Sequence, residues 1–184
     1  MRQFLALELE PGTRAEIAAL GARLAPAAAG WRALPADALH LTLRFLGEVD
    51  PERDRSARGA WRAAAGGVDG FELRIGGLGA FPSRGRARLL WLGVSEPTGR
   101  MLELQSALKR AAQALGFARE SRPFHPHLTL ARAATGGRTR PVGPESAGET
   151  WLERVHRAVL FQSVLLPAGA RHTVLEAFPL GGAA

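Results

Sequence analysis

His40-Leu41-Thr42-Leu43 and His127-Leu128-Thr129-Leu130 are the same tetrapeptide, HLTL, placed twice in a chain of 184 residues that holds five histidines. Side chains alternate across a β-strand, so residues two apart share a face. In each copy the imidazole and the hydroxyl fall on one face and the two leucines on the other. The leucines suit a core, and threonine, being β-branched, suits a strand. Two such strands facing each other would line one groove with two imidazoles and two hydroxyls.

The spacing of the rest of the chain predicts the frame around these strands. Residues 1–9 (MRQFLALEL) read as a first strand, and 14–25 carry helical spacing through Ile17, Leu20 and Leu24. The stretch 31–49 reads as extended, with its best strand at 39–46, and Pro51 opens a helix to about residue 65. Residues 70–81 and 87–94 form an antiparallel pair around PSRGR, and a third helix runs from Pro97 to Leu115, stopped by Gly116. After the motif segment 122–132 and a polar loop at 134–149, two final strands are expected at 155–166 and 171–180. Strands and helices mix without a regular βαβ alternation, which points to an α+β fold with antiparallel sheets. No linker divides the chain, so residues 1–184 are read as a single domain.

No apolar run is long enough to span a bilayer, and the N-terminus lacks a secretory pattern; a cytoplasmic protein without a membrane partner is expected. There is no cysteine, hence no disulfide and no thiolate nucleophile or ligand. The net charge is +7, and Lys109 is the only lysine. Arginine suits phosphate recognition, although a GC-rich coding bias produces the same excess.

Paired imidazoles suit phosphodiester cleavage by general acid and base. A neutral ring takes a proton from the attacking oxygen, and an imidazolium returns one to the leaving oxygen. Threonine hydroxyls donate hydrogen bonds to the non-bridging phosphate oxygens as charge builds there. The chemistry calls for no metal and no cofactor. The alternative for a single HLTL is an amphipathic strand with a solvated histidine; two identical copies in a histidine-poor chain favour one shared site.

The paired His-x-Thr-x motifs resemble the signature of the two-histidine (2H) phosphoesterases. With LHLTLRFLGEV (39–49), LGAFPSRGRARLLWLGV (78–94) and RPFHPHLTLAR (122–132), the chain is most similar to the bacterial and archaeal RNA 2',3'-cyclic phosphodiesterases, also called 2'-5' RNA ligases. The resemblance implies a bilobal fold with two antiparallel sheets related by a pseudo-twofold axis. The motif strands would face a central cleft, with helices outside. It implies hydrolysis of RNA 2',3'-cyclic ends to 2'-phosphates, with reversible ligation as a companion activity. In that assignment His40 is the proton donor, His127 the proton acceptor, and Thr42 and Thr129 hold the phosphate. The partner would be RNA or an oligonucleotide with a cyclic phosphate end, bound by a monomer. Where relatives often carry a tyrosine near the C-terminus, this chain has His172, and it contains no tyrosine.

Other residues enter as candidates. Arg44 shares the face of His40 and Thr42 by spacing and is a candidate for the cleft or its rim. Arg132 would face away from Thr129 by strict alternation, unless the strand ends or bulges first. His125 falls on the face of His127 and suits a substrate contact; no carboxylate or cysteine nearby completes a metal set. Phe45, Phe124 and Trp31 are candidates to stack on a base, although aromatics in strands are more often core and alternation puts Phe45 on the leucine side. Arg84, Arg86 and Arg88 form the densest basic loop. His156 and His172 are read as ordinary strand residues. Competing readings are a 2H enzyme acting on a 2'-5' linkage, a small cyclic nucleotide or ADP-ribose cyclic phosphate, a phosphate-docking RNA-binding module, and a metallo-hydrolase.

Overall fold

Alternating strands and amphipathic helices assemble into two antiparallel sheets in the computed structural model, which describes residues 1–27, 30–82, 87–134, 148–166 and 169–182. The order is β1 (Arg2–Leu7), α1 (Pro11–Ala27), β2 (Trp31–Ala33), a 3-10 turn (Ala36–Ala38), β3 (Leu41–Glu48), α2 (Pro51–Gly66), β4 (Phe71–Phe81) and β5 (Leu89–Ser95). It continues through α3 (Arg100–Ala114), β6 (His127–Ala133), β7 (Trp151–Val155), β8 (Arg157–Leu166) and β9 (Gly169–Pro179). Arg84 and Arg86 of the expected basic loop lie outside the described residues, while Arg88 is exposed.

The first sheet has the order β3-β1-β8-β9 and the second β2-β6-β5-β4-β7. Leaving out the short β2, the two orders superimpose as β3-β1-β8-β9 on β6-β5-β4-β7. This is the pseudo-twofold relation in strand terms, with β3 matched to β6 and β1 to β5.

Local chemistry explains the helices. Asp50 accepts hydrogen bonds from the backbone N–H groups of Glu52 (3.1 Å) and Arg53 (2.9 Å), and Pro51 begins α2 where its missing N–H costs nothing. Gly116 takes φ +74° just beyond α3, where Arg53 Nη2 donates to the Leu115 carbonyl (2.9 Å). Helices α2 and α3 cover the back of the first sheet: Gln3 of β1 donates to Asp54 (3.0 Å), and Trp61 of α2 meets Phe117 at 5.8 Å. Helix α1 leaves the first sheet and packs on the second, where Trp151 of β7 donates to its Glu16 (2.8 Å).

One continuous cluster of buried side chains joins both halves, from Leu5, Leu43 and Leu160 in the first sheet to Leu73, Leu90 and Leu128 in the second. A small separate cluster of Phe4, Ala6, Val159 and Phe161 lies on the opposite face of the first sheet.

Two expectations change here. The strand expected at 155–166 begins at Arg157 and pairs with β1 in the first sheet, whereas Val155 ends a separate strand, Trp151–Val155, that pairs with β4 in the second. The chain passes between sheets at His156, a crossing that hydrophobic periodicity cannot register. Residues 151–154, to which no element was assigned, thereby join a strand.

Candidate active site

Each HLTL enters its strand the same way and then departs from simple alternation. In β3, Ala6 lies opposite Thr42 and Leu5 opposite Arg44, so Leu43 is an extra, bulged residue. In β6, Trp91 lies opposite Thr129 and Leu90 opposite Ala131, so Leu130 is the extra residue. A bulge inserts one residue and inverts the facing of everything after it. Both leucines of each motif stay buried, and the residue five places after each histidine returns to the face of that histidine.

That inversion corrects two expectations, for Arg44 and Phe45, and decides between the two left open for Arg132. Arg44 turns away from His40 to the core face beside Leu5. It is 1% exposed, paired with Glu120 at 2.8 Å and hydrogen-bonded to the Ala118 carbonyl. Phe45 turns off the leucine side onto the face of Thr42, opposite Phe4, and remains 58% exposed. Arg132 turns onto the face of Thr129, and its charge reaches His40, His127 and His172.

The imidazoles are seated in matching ways. His127 Nδ1 lies 2.7 Å from the His125 carbonyl. A carbonyl only accepts, so Nδ1 carries the hydrogen and Nε2 is left to exchange a proton. His40 makes a hydrogen bond to the backbone of Ala38, also two residues upstream. Around His40 stand Phe4 at 4.7 Å, His172 at 5.0 Å and Phe161 at 5.9 Å. Ala6, the small residue opposite Thr42, leaves room for the ring to lean across the sheet. Around His127 stand Phe81 at 5.3 Å, Trp91 at 6.2 Å and His125 at 6.2 Å. Each motif histidine thus has two apolar aromatic side chains and a second imidazole as neighbours.

Burial disfavours the imidazolium in both places. His40 is pushed down to about 4, first by desolvation and then by the neighbouring His172; Arg132 and His127 push the same way, against the Ala38 hydrogen bond. His127 is also lowered, mainly by burial, with the His125 carbonyl opposing. His172 is lowered by burial and by Arg132, with Asp37 opposing. Strands β3 and β6 contact one another, so the two motif histidines lie near each other.

His172 therefore belongs to the motif surroundings and is not an ordinary strand residue. Its Nδ1 is buried without a hydrogen-bond partner among the described residues. Sequence reading missed it, and with it Phe4, Phe161, Phe81 and Trp91. The available signal was the shared parity of Phe4 and Ala6 on one strand and of Val159 and Phe161 on another. Phe124, a proposed substrate contact, is half-buried and packs against the main core, where Trp31 is also buried. His125 is exposed, with Phe81 at 5.2 Å and Trp91 at 5.3 Å. Among the described residues no group of three or more His, Cys, Asp or Glu side chains is arranged to hold a metal, and no helix is long and apolar enough to cross a membrane.

Two antiparallel sheets of matching strand order, each carrying one His-x-Thr strand beside a common cleft, define a 2H phosphoesterase fold. The family model of the 2'-5' RNA ligase superfamily matches residues 7–161, and the chain belongs to that family. A relative from Methanothermobacter thermautotrophicus, named RNA 2',3'-cyclic phosphodiesterase, is 34% identical, with 98% of this chain and 99% of the relative covered. The crystal structure of TT0787 from Thermus thermophilus matches with a TM-score of 0.82 at 32% identity, covering 100% of both chains. The structure of Escherichia coli LigT complexed with 3'-AMP matches with a TM-score of 0.79 at 32% identity, covering 97% of each.

Proposed function

We propose that this protein hydrolyses RNA 2',3'-cyclic phosphate ends to 2'-phosphomonoesters by metal-independent general acid–base catalysis at His40 and His127. The observation that carries the reading is the matched pair of His-x-Thr segments, each imidazole held by the backbone two residues upstream. The name of the Methanothermobacter relative supports the substrate class.

In this reading Thr42 and Thr129 donate to the non-bridging oxygens and Arg132 supplies a positive charge beside them. His127 Nε2 takes a proton from water as its oxygen bonds to phosphorus. The bond from phosphorus to the 3'-oxygen breaks on the opposite side, and His40 donates a proton to that oxygen. One proton is taken and one is given, so the next turnover requires only proton exchange between the two rings.

The depressed His40 sharpens the acid role. A low pKa makes its imidazolium a strong acid, but leaves it sparsely populated in the free protein at neutral pH. The substrate carries a negative charge into the cleft, and an opposite charge nearby favours the protonated ring. The anion thus helps recruit the proton that cleaves it. When a 5'-hydroxyl takes the place of water, the same two roles give a 2'-5' linkage, because the 3'-oxygen is still the one that leaves. Cleavage of that linkage runs the step backwards and exchanges the roles.

The test is an oligoribonucleotide with a 2',3'-cyclic end, incubated with EDTA, with the phosphate position of the product identified. A 2'-phosphate formed in EDTA and lost in both His40→Ala and His127→Ala is the expected result. Turnover unchanged in both variants rejects the site. Turnover abolished by EDTA rejects the metal-free mechanism.

A further inference from the structure

We infer that the cavity beside His127, floored by Gly76 and Gly93, seats the nucleoside whose 5'-oxygen stands where water otherwise attacks. The inference rests on the proposed hydrolysis and adds a second nucleoside site to it.

The cavity follows from the pairing of the second sheet. Gly93 of β5 lies directly opposite His127, and Gly76 of β4 lies directly opposite Gly93. Gly93 is two residues from Trp91, the partner of Thr129, so both glycines fall on the face of the motif. Arg74 and its partners Ser95 and Leu152 continue that face outward. With Thr150 they border a cavity of about 550 Å³, a size typical of small-molecule sites.

Glycine keeps the floor low. A Cβ on Gly93 would meet the Gly76 carbonyl oxygen at 3.0 Å, and one on Gly76 would meet Thr150 Cγ2 at 2.9 Å. The first half shows the alternative. There the positions matching Gly93 and Gly76 are Glu8 and Arg157, which fill the equivalent space with an ion pair at 3.3 Å. The opening therefore belongs to one motif histidine of the two.

The walls suit a nucleoside that continues into a strand. Leu152 is 60% exposed and offers an apolar surface to a base. Ser95 and Thr150 bring hydroxyls that can pair with ribose. Arg74 is exposed and makes no ion pair among the described residues, which leaves its charge for the next phosphate of the strand.

Reaction geometry selects the occupant. Displacement at phosphorus puts the entering and leaving oxygens on opposite sides, and the entering one stands by His127. When that oxygen is a 5'-hydroxyl, its nucleoside lies over the second sheet, where this cavity opens. Cleavage of a 2'-5' linkage uses the same seat in reverse. The 3'-hydroxyl bonds to phosphorus and gives its proton to His40. The bond from phosphorus to the 5'-oxygen breaks, and that oxygen takes a proton from His127. A 2',3'-cyclic phosphate and a 5'-hydroxyl nucleoside result.

The test compares adenylyl-(2'-5')-adenosine with adenosine 2'-(methyl phosphate), which lacks the second nucleoside, in the wild type, Leu152→Glu and Leu152→Met. Adenosine 2',3'-cyclic phosphate is run beside them as the measure of hydrolysis. The wild type is expected to prefer the dinucleotide in kcat/KM. Leu152→Glu sets a carboxylate opposite Arg74 and closes the cavity as the ion pair closes the first half. The preference then falls about 10-fold or more, the scale of one base contact, chiefly through KM. Leu152→Met keeps it. A preference unchanged in Leu152→Glu, or a wild type that hydrolyses the cyclic phosphate without preferring the dinucleotide, overturns the site and leaves the hydrolysis intact. Wild-type protein that cleaves none of the three compounds, nor a cyclic-ended oligonucleotide, overturns the hydrolysis, and the site with it.

Discussion

The two motif strands, β3 and β6, share a backbone design and differ in what surrounds it. Both present His-x-Thr, both bulge at the next leucine, and both bring the fifth residue after the histidine back to the cleft. Opposite Thr42 stands Ala6, and opposite Thr129 stands Trp91. The small residue lets His40 lean over its sheet toward Phe4, Phe161 and His172, and burial drives its pKa to about 4. In the other half that position holds the Trp91 indole, 6.2 Å from His127, whose pKa is also lowered by burial. The difference teaches how a duplicated scaffold yields an unequal pair: the ring with less water becomes the stronger acid and the other the better base.

The largest effects should come from breaking both copies at once. Each His→Ala change is expected to lower kcat about 10²–10⁴-fold, and the double variant should be little slower than the slower single, because the two rings act in one step. Multiplying effects would show two independent contributions. Thr42→Val and Thr129→Val should each cost about 10²-fold in kcat at an unchanged Tm; a threonine that can be replaced without loss would break the symmetry of phosphate binding.

The two arginines sharpen the comparison because the bulges send them to opposite faces. Arg44→Ala should destabilise the fold by about 2 kcal/mol, measured by denaturant unfolding, since it empties a buried site and strands Glu120. Arg132→Ala should leave unfolding unchanged and raise KM for an oligonucleotide, making the salt dependence of log KM shallower by about 0.7.

The acidity contrast is readable by NMR titration. Both rings should titrate below 6.5 in the free protein, His40 near 4, and both should move up when inorganic phosphate binds. The profile of kcat/KM then has its optimum below 6.5 and falls as pH rises. Stability has the opposite sense. A histidine with a folded pKa below its unfolded value stabilises the fold fully above about 6.5, and that contribution is lost as pH falls toward 4. Tm should therefore drop across that window. The effect smallest for catalysis concerns the space over Gly79, where an added Cβ would meet the Trp91 ring at 2.2 Å. Gly79→Ala should cost about 1–3 kcal/mol and shift the His127 resonances. The matching position in the other half is Val159, which already carries a side chain.

The repeated tetrapeptide was legible because period-two alternation needs only local sequence, and the helices were legible from their caps and apolar stripes. Alternation failed where one inserted residue changed parity, so Arg44 and Phe45 were assigned the wrong face, and Arg132 reaches the Thr129 face only through the bulge. No side chain in HLTLRF or HLTLAR advertises a bulge; it arises from pairing with β1 and β5, which are distant in the chain. His172 was missed for a related reason. Its place beside His40 is a property of β9 lying two strands from β1, and nothing near residue 172 encodes it. The crossing at His156 was hidden because the two strands are separated by a single residue, with no turn-forming glycine or proline between them.

The position of β1 has a consequence for how the chain is made. It lies between β3 and β8, and its second neighbour begins only at Arg157. During synthesis the first strand leaves the ribosome with one edge unpaired, and that edge waits until β8 has been translated. The second sheet, apart from β7, can gather earlier from residues 31–133. Assembly of the first sheet is thus deferred until after most of the second, and with it the completed surroundings of His40. A nascent chain stalled before β8 carries both HLTL segments but exposes Phe4 and Leu5 on an open strand, which makes it a substrate for chaperones before it is a catalyst.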